Sequence, residues 1–192
     1  MRYPPDQRDK SRRRILSVAS RMFRESGYRA TGVAAIMKAA GMTAGGFYAH
    51  FPSKEALFRE SLAPAFDEFR KRLTGALEGR VRSVSSSELV RRYLDVEKTA
   101  EAGESCPINA LAADIARSGE GVRERFEDEL RKTAEAVAAR TRKPGVPADD
   151  AALALLALCS GAILLRRAME SPEMENRMVE ACVSFAERAG GR

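Results

Sequence analysis

The chain of 192 residues has one histidine, His50, and three cysteines, Cys106, Cys159 and Cys182, far apart and without CxxC spacing. A lone histidine with no paired cysteines beside it argues against a zinc site, and neither a metal nor another cofactor is expected. The odd, scattered cysteine count points to reduced thiols rather than a disulfide framework. No apolar run reaches the roughly 18 residues that span a bilayer. The longest, from Ala151 to Leu165, is broken by Ser160 and Gly161 and reads as a buried helix. The charged N-terminus shows no apolar leader, so a cytoplasmic location is expected. A Gly-rich phosphate loop and a carboxylate–histidine pairing are both missing, which leaves little machinery for catalysis, and no enzyme is expected. Strand signals are nearly absent, because no stretch alternates apolar and polar residues and β-branched residues are sparse. The expectation is therefore an all-α fold.

Charge is present, and its placement is informative. Residues 1–60 hold twelve Lys/Arg against five Asp/Glu, while the remaining 132 residues hold twenty-one against twenty-two. All of the formal +6 excess thus sits in the first third. A basic segment beside a neutral remainder points to a polyanion, either nucleic acid or an anionic membrane surface. Arg2, Arg8, Lys10, Arg12 and Arg13 are placed either to track phosphates or to form an ordinary solvated helix face.

Helical periodicity divides the chain. A first helix is expected from about Gln7 to Ser26, with Ile15, Val18, Ala19, Met22 and Phe23 on one stripe. Arg12, Arg13, Arg14, Arg21 and Arg24 cover much of the rest, and Gly27 is the stop. Thr31 is a cap candidate for a short second helix, Gly32 to about Ala40, with Val33, Ile36 and Met37 as its apolar face. Gly41 ends it. Thr43 is the next cap candidate, opening a third helix from Ala44 to about His50. Phe47 and Phe51 should point inward together. Ser53 should cap a long fourth helix, Lys54 to about Leu77, in which Pro64 predicts a kink or interruption. After a polar linker, Gly79 to Ser87, further helices are expected over Glu88–Ala102, Pro107–Arg117, Gly121–Arg142, Ala148–Met169 and Pro172–Ala189, punctuated by Gly and Pro, including the Pro144–Pro147 segment.

Two short helices joined at Gly41, preceded by a basic amphipathic helix, make a helix-turn-helix, whose second helix enters the major groove of duplex DNA. Ala44, Gly45 and Gly46 leave little side chain between that backbone and the DNA. The run from Thr31 to Phe58, centred on GFYAHFPSKEALF, strongly resembles the DNA-binding domain of the TetR family of bacterial one-component repressors. The resemblance implies a phosphate contact at Thr31. It implies groove-facing positions at Thr43, Ala44, Gly45 and Gly46, and contacts from Tyr48 and His50 to the backbone or a base edge. Lys54 would bind phosphate through its charge and the helix dipole. Many family members have Lys where this chain has Ala44, and a larger side chain at Gly46. Readout here would lean on phosphates, backbone and DNA shape.

The same resemblance implies a division into a DNA-binding domain over residues 1–52 and a helical ligand-binding and dimerisation domain over residues 53–192. It implies a homodimer paired through the last two helices on double-stranded operator DNA. The recognition helices would then lie about 34–36 Å apart or slightly more. The Ala/Leu-rich segment 151–165 and the stripe Met174, Met178, Cys182 and Phe185 are suitable pairing surfaces. A hydrophobic small-molecule effector is expected, with candidate pocket residues Phe66, Phe69, Leu94, Ile108, Leu111, Phe126, Leu158 and Met169. Each of these suits ordinary core better than ligand contact. Cys106 precedes Pro107 at a helix entry, where a thiol can gain thiolate character. That makes a thiol-based sensor of electrophiles or oxidants the alternative mode of control. A membrane-surface module is a further reading of the basic first helix, but it leaves the second and third helices unexplained.

Overall fold

The computed structural model describes residues 5–75, 84–141 and 148–190. Eight α-helices and two 3-10 turns account for the regular structure, with no strand among the described residues. They are α1 (Pro5–Ala30), α2 (Val33–Ala39), a 3-10 turn over Ala44–Ala49, α3 (Lys54–Gly75) and α4 (Ser86–Thr99). A second 3-10 turn over Ala102–Glu104 is followed by α5 (Pro107–Ile115), α6 (Glu120–Ala138), α7 (Ala148–Arg167) and α8 (Pro172–Gly190). The all-α expectation holds. Arg2, most of the expected linker and the Pro144–Pro147 segment lie outside the described residues.

Local chemistry explains the boundaries. α1 breaks at Gly27, whose φ of 79° and ψ of 166° belong to a region open essentially only to glycine. One further turn carries the chain to Ala30. α2 ends in a left-handed glycine, Gly41 at φ 72°. The amide of Met42 reaches the Met37 carbonyl at 2.8 Å and that of Gly41 reaches Lys38 at 2.9 Å, which closes a Schellman motif. Ser53 caps α3 as expected, its Oγ accepting from the Ala56 amide at 3.0 Å. Of the kink or interruption expected at Pro64, the interruption is absent, and α3 runs through it as one helix. Leu62, Ala65, Phe66 and Phe69 are buried on both sides of it, and that packing holds the two halves in one helix.

The helices form two compact units that are not contiguous in sequence. The first takes the described residues up to Phe69 together with Glu101–Glu129; the second takes Arg70–Ala100 together with the described residues from Leu130 on. In the first, Ile15, Phe23, Ile36, Phe47, Phe51 and Phe58 form one apolar cluster that also includes Leu111 and Ile115 of α5 and Val122 of α6. Truncating one of these phenylalanines to alanine costs about 3–5 kcal/mol. Arg24, one of the arginines expected to cover the side of α1 away from its apolar stripe, is buried there. Its guanidinium donates to the Ser20 carbonyl at 3.2 Å, the Ser105 carbonyl at 3.4 Å and Glu68 Oε2 at 2.6 Å. In the second unit, α4 packs on α7 and α8, which also pack on each other. Tyr93, Leu156, Cys159 and Ile163 are enclosed in it.

Candidate nucleic-acid interface

The first unit presents α2 and the 3-10 turn that follows it. This second element of the motif is six residues long, Ala44–Ala49, and tighter than the α-helix expected. Phe47 and Phe51 hold it from beneath, both fully buried with ring centroids 5.9 Å apart. Thr43 occupies the N-cap position but makes no side-chain cap bond, which corrects its expected role as a cap. Its side chain is exposed, as are Ala44 and Gly45, and Gly46 is half-buried. A Cβ added at Gly45 would meet nothing within 4 Å, so that edge of the turn is bare.

Tyr48 projects from the same turn and is 75 % exposed, its ring packed edge-on to Phe47 at 5.2 Å. His50 follows, half-buried, with a buried Nδ1 that has no hydrogen-bond partner. Burial, helped by the nearby Arg8 and Arg12 guanidinium groups, pulls its pKa below the ordinary 6.5 and keeps the imidazole neutral. Arg8, Ser11, Gly41, Thr43, Gly46 and His50 line a cleft of about 530 Å3 between α1 and the motif. Arg12 pairs with Glu60 and lies 4.5 Å from the centre of the Phe51 ring, so its charge is partly engaged within the protein.

Lys54 opens α3. Its ammonium sits 4.4 Å from the centre of the Tyr28 ring. Burial lowers its pKa, while the carboxylate of Asp114 works in the opposite direction. Thr31 departs from its expected place. α2 has Gly32 at its N-cap with no side-chain cap bond, and Thr31 is only 2 % exposed. Its hydroxyl donates to the Gly27 carbonyl at 2.7 Å and lies 3.2 Å from that of Met22. It therefore fastens the end of α1 instead of capping α2, and its one hydroxyl proton is already engaged.

The pocket candidates separate between the two units. Phe66, Phe69, Cys106, Ile108, Leu111 and Phe126 belong to the first unit, and Leu94, Leu158 and Met169 to the second. Phe66, Ile108, Leu111 and Phe126 join the apolar cluster beneath the motif. The Phe66 and Phe126 rings meet edge to face at 5.8 Å. Cys106 stands at the N-cap of α5 with Pro107 behind it, as the sequence implied, but the residue is fully buried. Among the described residues no group of three or more His, Cys, Asp or Glu is arranged to hold a metal ion.

A family model described as bacterial regulatory proteins of the tetR family matches residues 15–61, the span from the middle of α1 into α3. A second model, the C-terminal domain of LmrA/YxaF-like transcriptional regulators, matches residues 86–178. The chain belongs to the TetR family. It is a DNA-binding transcriptional regulator, and the exposed turn over Ala44–Ala49 lies inside the span that the tetR-family model matches. The HTH-type transcriptional regulator LmrA of Bacillus subtilis is 29 % identical over 160 residues, covering 81 % of this chain and 85 % of that protein. The HTH-type transcriptional repressor KstR2 of Rhodococcus jostii is 39 % identical over 93 residues, covering 46 % of this chain and 42 % of that one. A TetR-family regulator from Cytophaga hutchinsonii, 17 % identical, superimposes with a TM-score of 0.79 over 99 % of this chain and 100 % of that chain, a likeness of fold. No helix among the described residues is long and apolar enough to cross a membrane.

Proposed function

We propose that this TetR-family regulator is a cytoplasmic homodimeric repressor, released from its operator by a hydrophobic small molecule. The reading element is Thr43–Tyr48, with His50 and Lys54 gripping the flanking backbone, and residues 53–192 carry dimerisation and effector binding. The observation that carries the dimer is an apolar surface on the last two helices. Leu153, Leu164 and Leu165 of α7 and Met174 and Phe185 of α8 are between 41 % and 58 % exposed. Exposed large apolar side chains gathered on two helices mark an interaction face, and self-pairing gives the two-fold symmetry that a two-half-site operator requires. KstR2, named a repressor, supports the sign of regulation.

Effector binding is assigned to candidates taken unit by unit: Leu94, Leu158 and Met169 in the second, or Phe66, Phe69, Cys106, Ile108, Leu111 and Phe126 in the first. Because Phe66, Phe69, Cys106 and Leu111 are closed to solvent, a ligand reaching them must first separate packed helices. The test has two arms. The double variant Leu164→Arg, Phe185→Arg should sediment as a monomer and lose tight operator binding; a variant that stays dimeric removes α7 and α8 from the interface. Selection of bound duplexes from a random pool should return a two-fold symmetric site, and apolar compounds should then be screened for release of that duplex. Recovery of a site without two half-sites would overturn the dimeric reading.

A further inference from the structure

Asp114 lies near the C-terminal end of α5, 83 residues beyond the start of the motif, yet its carboxylate is bound into the reading unit. The Tyr28 amide donates to its Oδ2 at 2.8 Å, and Arg117 Nη2 donates to its Oδ1 at 3.2 Å. The approach is made possible by Gly27, where a Cβ would stand 3.1 Å from the same Oδ2. An acidic group near a helix C-terminus opposes the helix dipole. Its placement there is compensated by the bond it makes across to α1.

That bond fixes more than a backbone amide. The Tyr28 ring packs against Phe58 at 4.7 Å and Phe23 at 5.8 Å, and its face carries the Lys54 ammonium. Asp114 also supports the charged form of Lys54 against burial. A second bond secures the same seam, because the Gly119 amide of the α5–α6 turn donates to Glu55 Oε1 at 2.9 Å, next to Lys54 in the first turn of α3. A Cβ at Gly119 would collide with that carboxylate.

We propose that Asp114 is a positioning residue for DNA binding, holding Tyr28 as the platform on which Lys54 is presented to a DNA phosphate. This rests on the assignment of Lys54 as a phosphate ligand. It gives α5 a direct mechanical line to the DNA grip, so an event that shifts α5 reaches Lys54 through one hydrogen bond and one ring.

General electrostatics predicts the opposite sign, which makes the test sharp. Removing an acidic charge near DNA should tighten binding. Loss of a positioning residue should weaken it. Operator binding is measured against salt for the full-length wild type, Lys54→Gln, Asp114→Ala, the double variant, Asp114→Asn and Tyr28→Leu, with the melting temperature of each. Asp114→Ala should weaken binding about threefold or more, as for coupled neighbours. It should lower the salt slope by about one phosphate contact, as should Lys54→Gln. The double variant should be no worse than Lys54→Gln. Asp114→Asn, which keeps an acceptor for the Tyr28 amide, should recover most of the affinity. Tyr28→Leu, which keeps the amide and removes the ring, should match Asp114→Ala, and it carries the test should Asp114→Ala fail to fold. Additive losses in the double variant, or unchanged or tighter binding by Asp114→Ala, overturn the proposal alone. An unchanged affinity and slope in Lys54→Gln overturn the phosphate assignment and the proposal with it.

Discussion

The Arg8 guanidinium donates a 2.8 Å hydrogen bond to the main-chain carbonyl of Ala49, the last residue of the 3-10 turn that follows α2. A six-residue 3-10 turn has weak internal bonding and depends on its neighbours for its orientation. Arg8 ties its far end to α1, so this basic residue of the N-terminal run has an intramolecular partner. Arg8→Ala is expected to lower the ratio of operator to random-sequence affinity while leaving the salt slope of random-sequence binding unchanged. A slope that falls by about one would show that Arg8 grips phosphate instead.

Arg24 predicts a stability effect. Its side chain is 2 % exposed and Glu68 lies at 2.6 Å. Glu68 is 45 % exposed and stays hydrated when Arg24 is removed, so the cost lies in the lost packing and in the Ser20 and Ser105 carbonyls left without their donor, about 1–3 kcal/mol. Arg24→Ala should lower the denaturant midpoint accordingly, whereas Arg13→Ala, at an exposed position of the same helix, should leave it within about 0.5 kcal/mol. Equal midpoints for the two variants would contradict the burial of Arg24.

These two arginines show what could be read in the chain and what could not. The periodicity of α1 and α3, the Gly41 turn and the inward pair Phe47 and Phe51 follow from local spacing and were legible. So was the exposed place of Tyr48, through its resemblance to a known motif. Arg24 was not, because a guanidinium inside a basic run looks like solvated surface. The groups that bury it, Glu68 and Ser105, lie 44 and 81 residues further on. The return of α5 and α6 to complete the core beneath the motif is a long-range event of the same kind. Thr31 had the right residue type for a cap, but its hydroxyl is taken by two carbonyls of α1, a competition that no local pattern displays.

His50 makes stability depend on pH. Its folded pKa lies below the ordinary 6.5, so in mildly acidic solution the unfolded chain takes up a proton that the folded chain refuses. Stability is therefore fully present above about pH 6.5 and declines as the pH falls toward the lowered folded value. His50→Gln should flatten the melting temperature between about pH 7 and 5.5, a window above most carboxylate titration. An identical pH profile in wild type and variant would remove His50 as the cause.

Thiol chemistry should follow burial. Cys106 and Cys159 are closed to solvent, whereas Cys182 is half-buried and its thiol pKa is pushed up from 9.0 by that burial. A short treatment of the native protein with a maleimide should spare Cys106, and should reach Cys182, on the proposed α8 pairing stripe, only as the dimer opens, faster as pH rises. Operator affinity should survive when Cys182 is first replaced by Ser. Native-state modification of Cys106 at the rate of Cys182 would favour the electrophile-sensing alternative.

The bare edge at Gly45 has an evolutionary consequence. The backbone there does not require glycine, since only Gly27 and Gly41 have positive φ among the described residues, and no neighbour stands in the way of a new side chain. Most changes that alter what a protein recognises also disturb how it folds. Here the two are separable: on the proposed groove-facing reading of position 45, a single base change to arginine would add a guanidinium at that edge with little disturbance of the scaffold. A duplicated copy of the gene would thus stand one mutation from a different set of promoters.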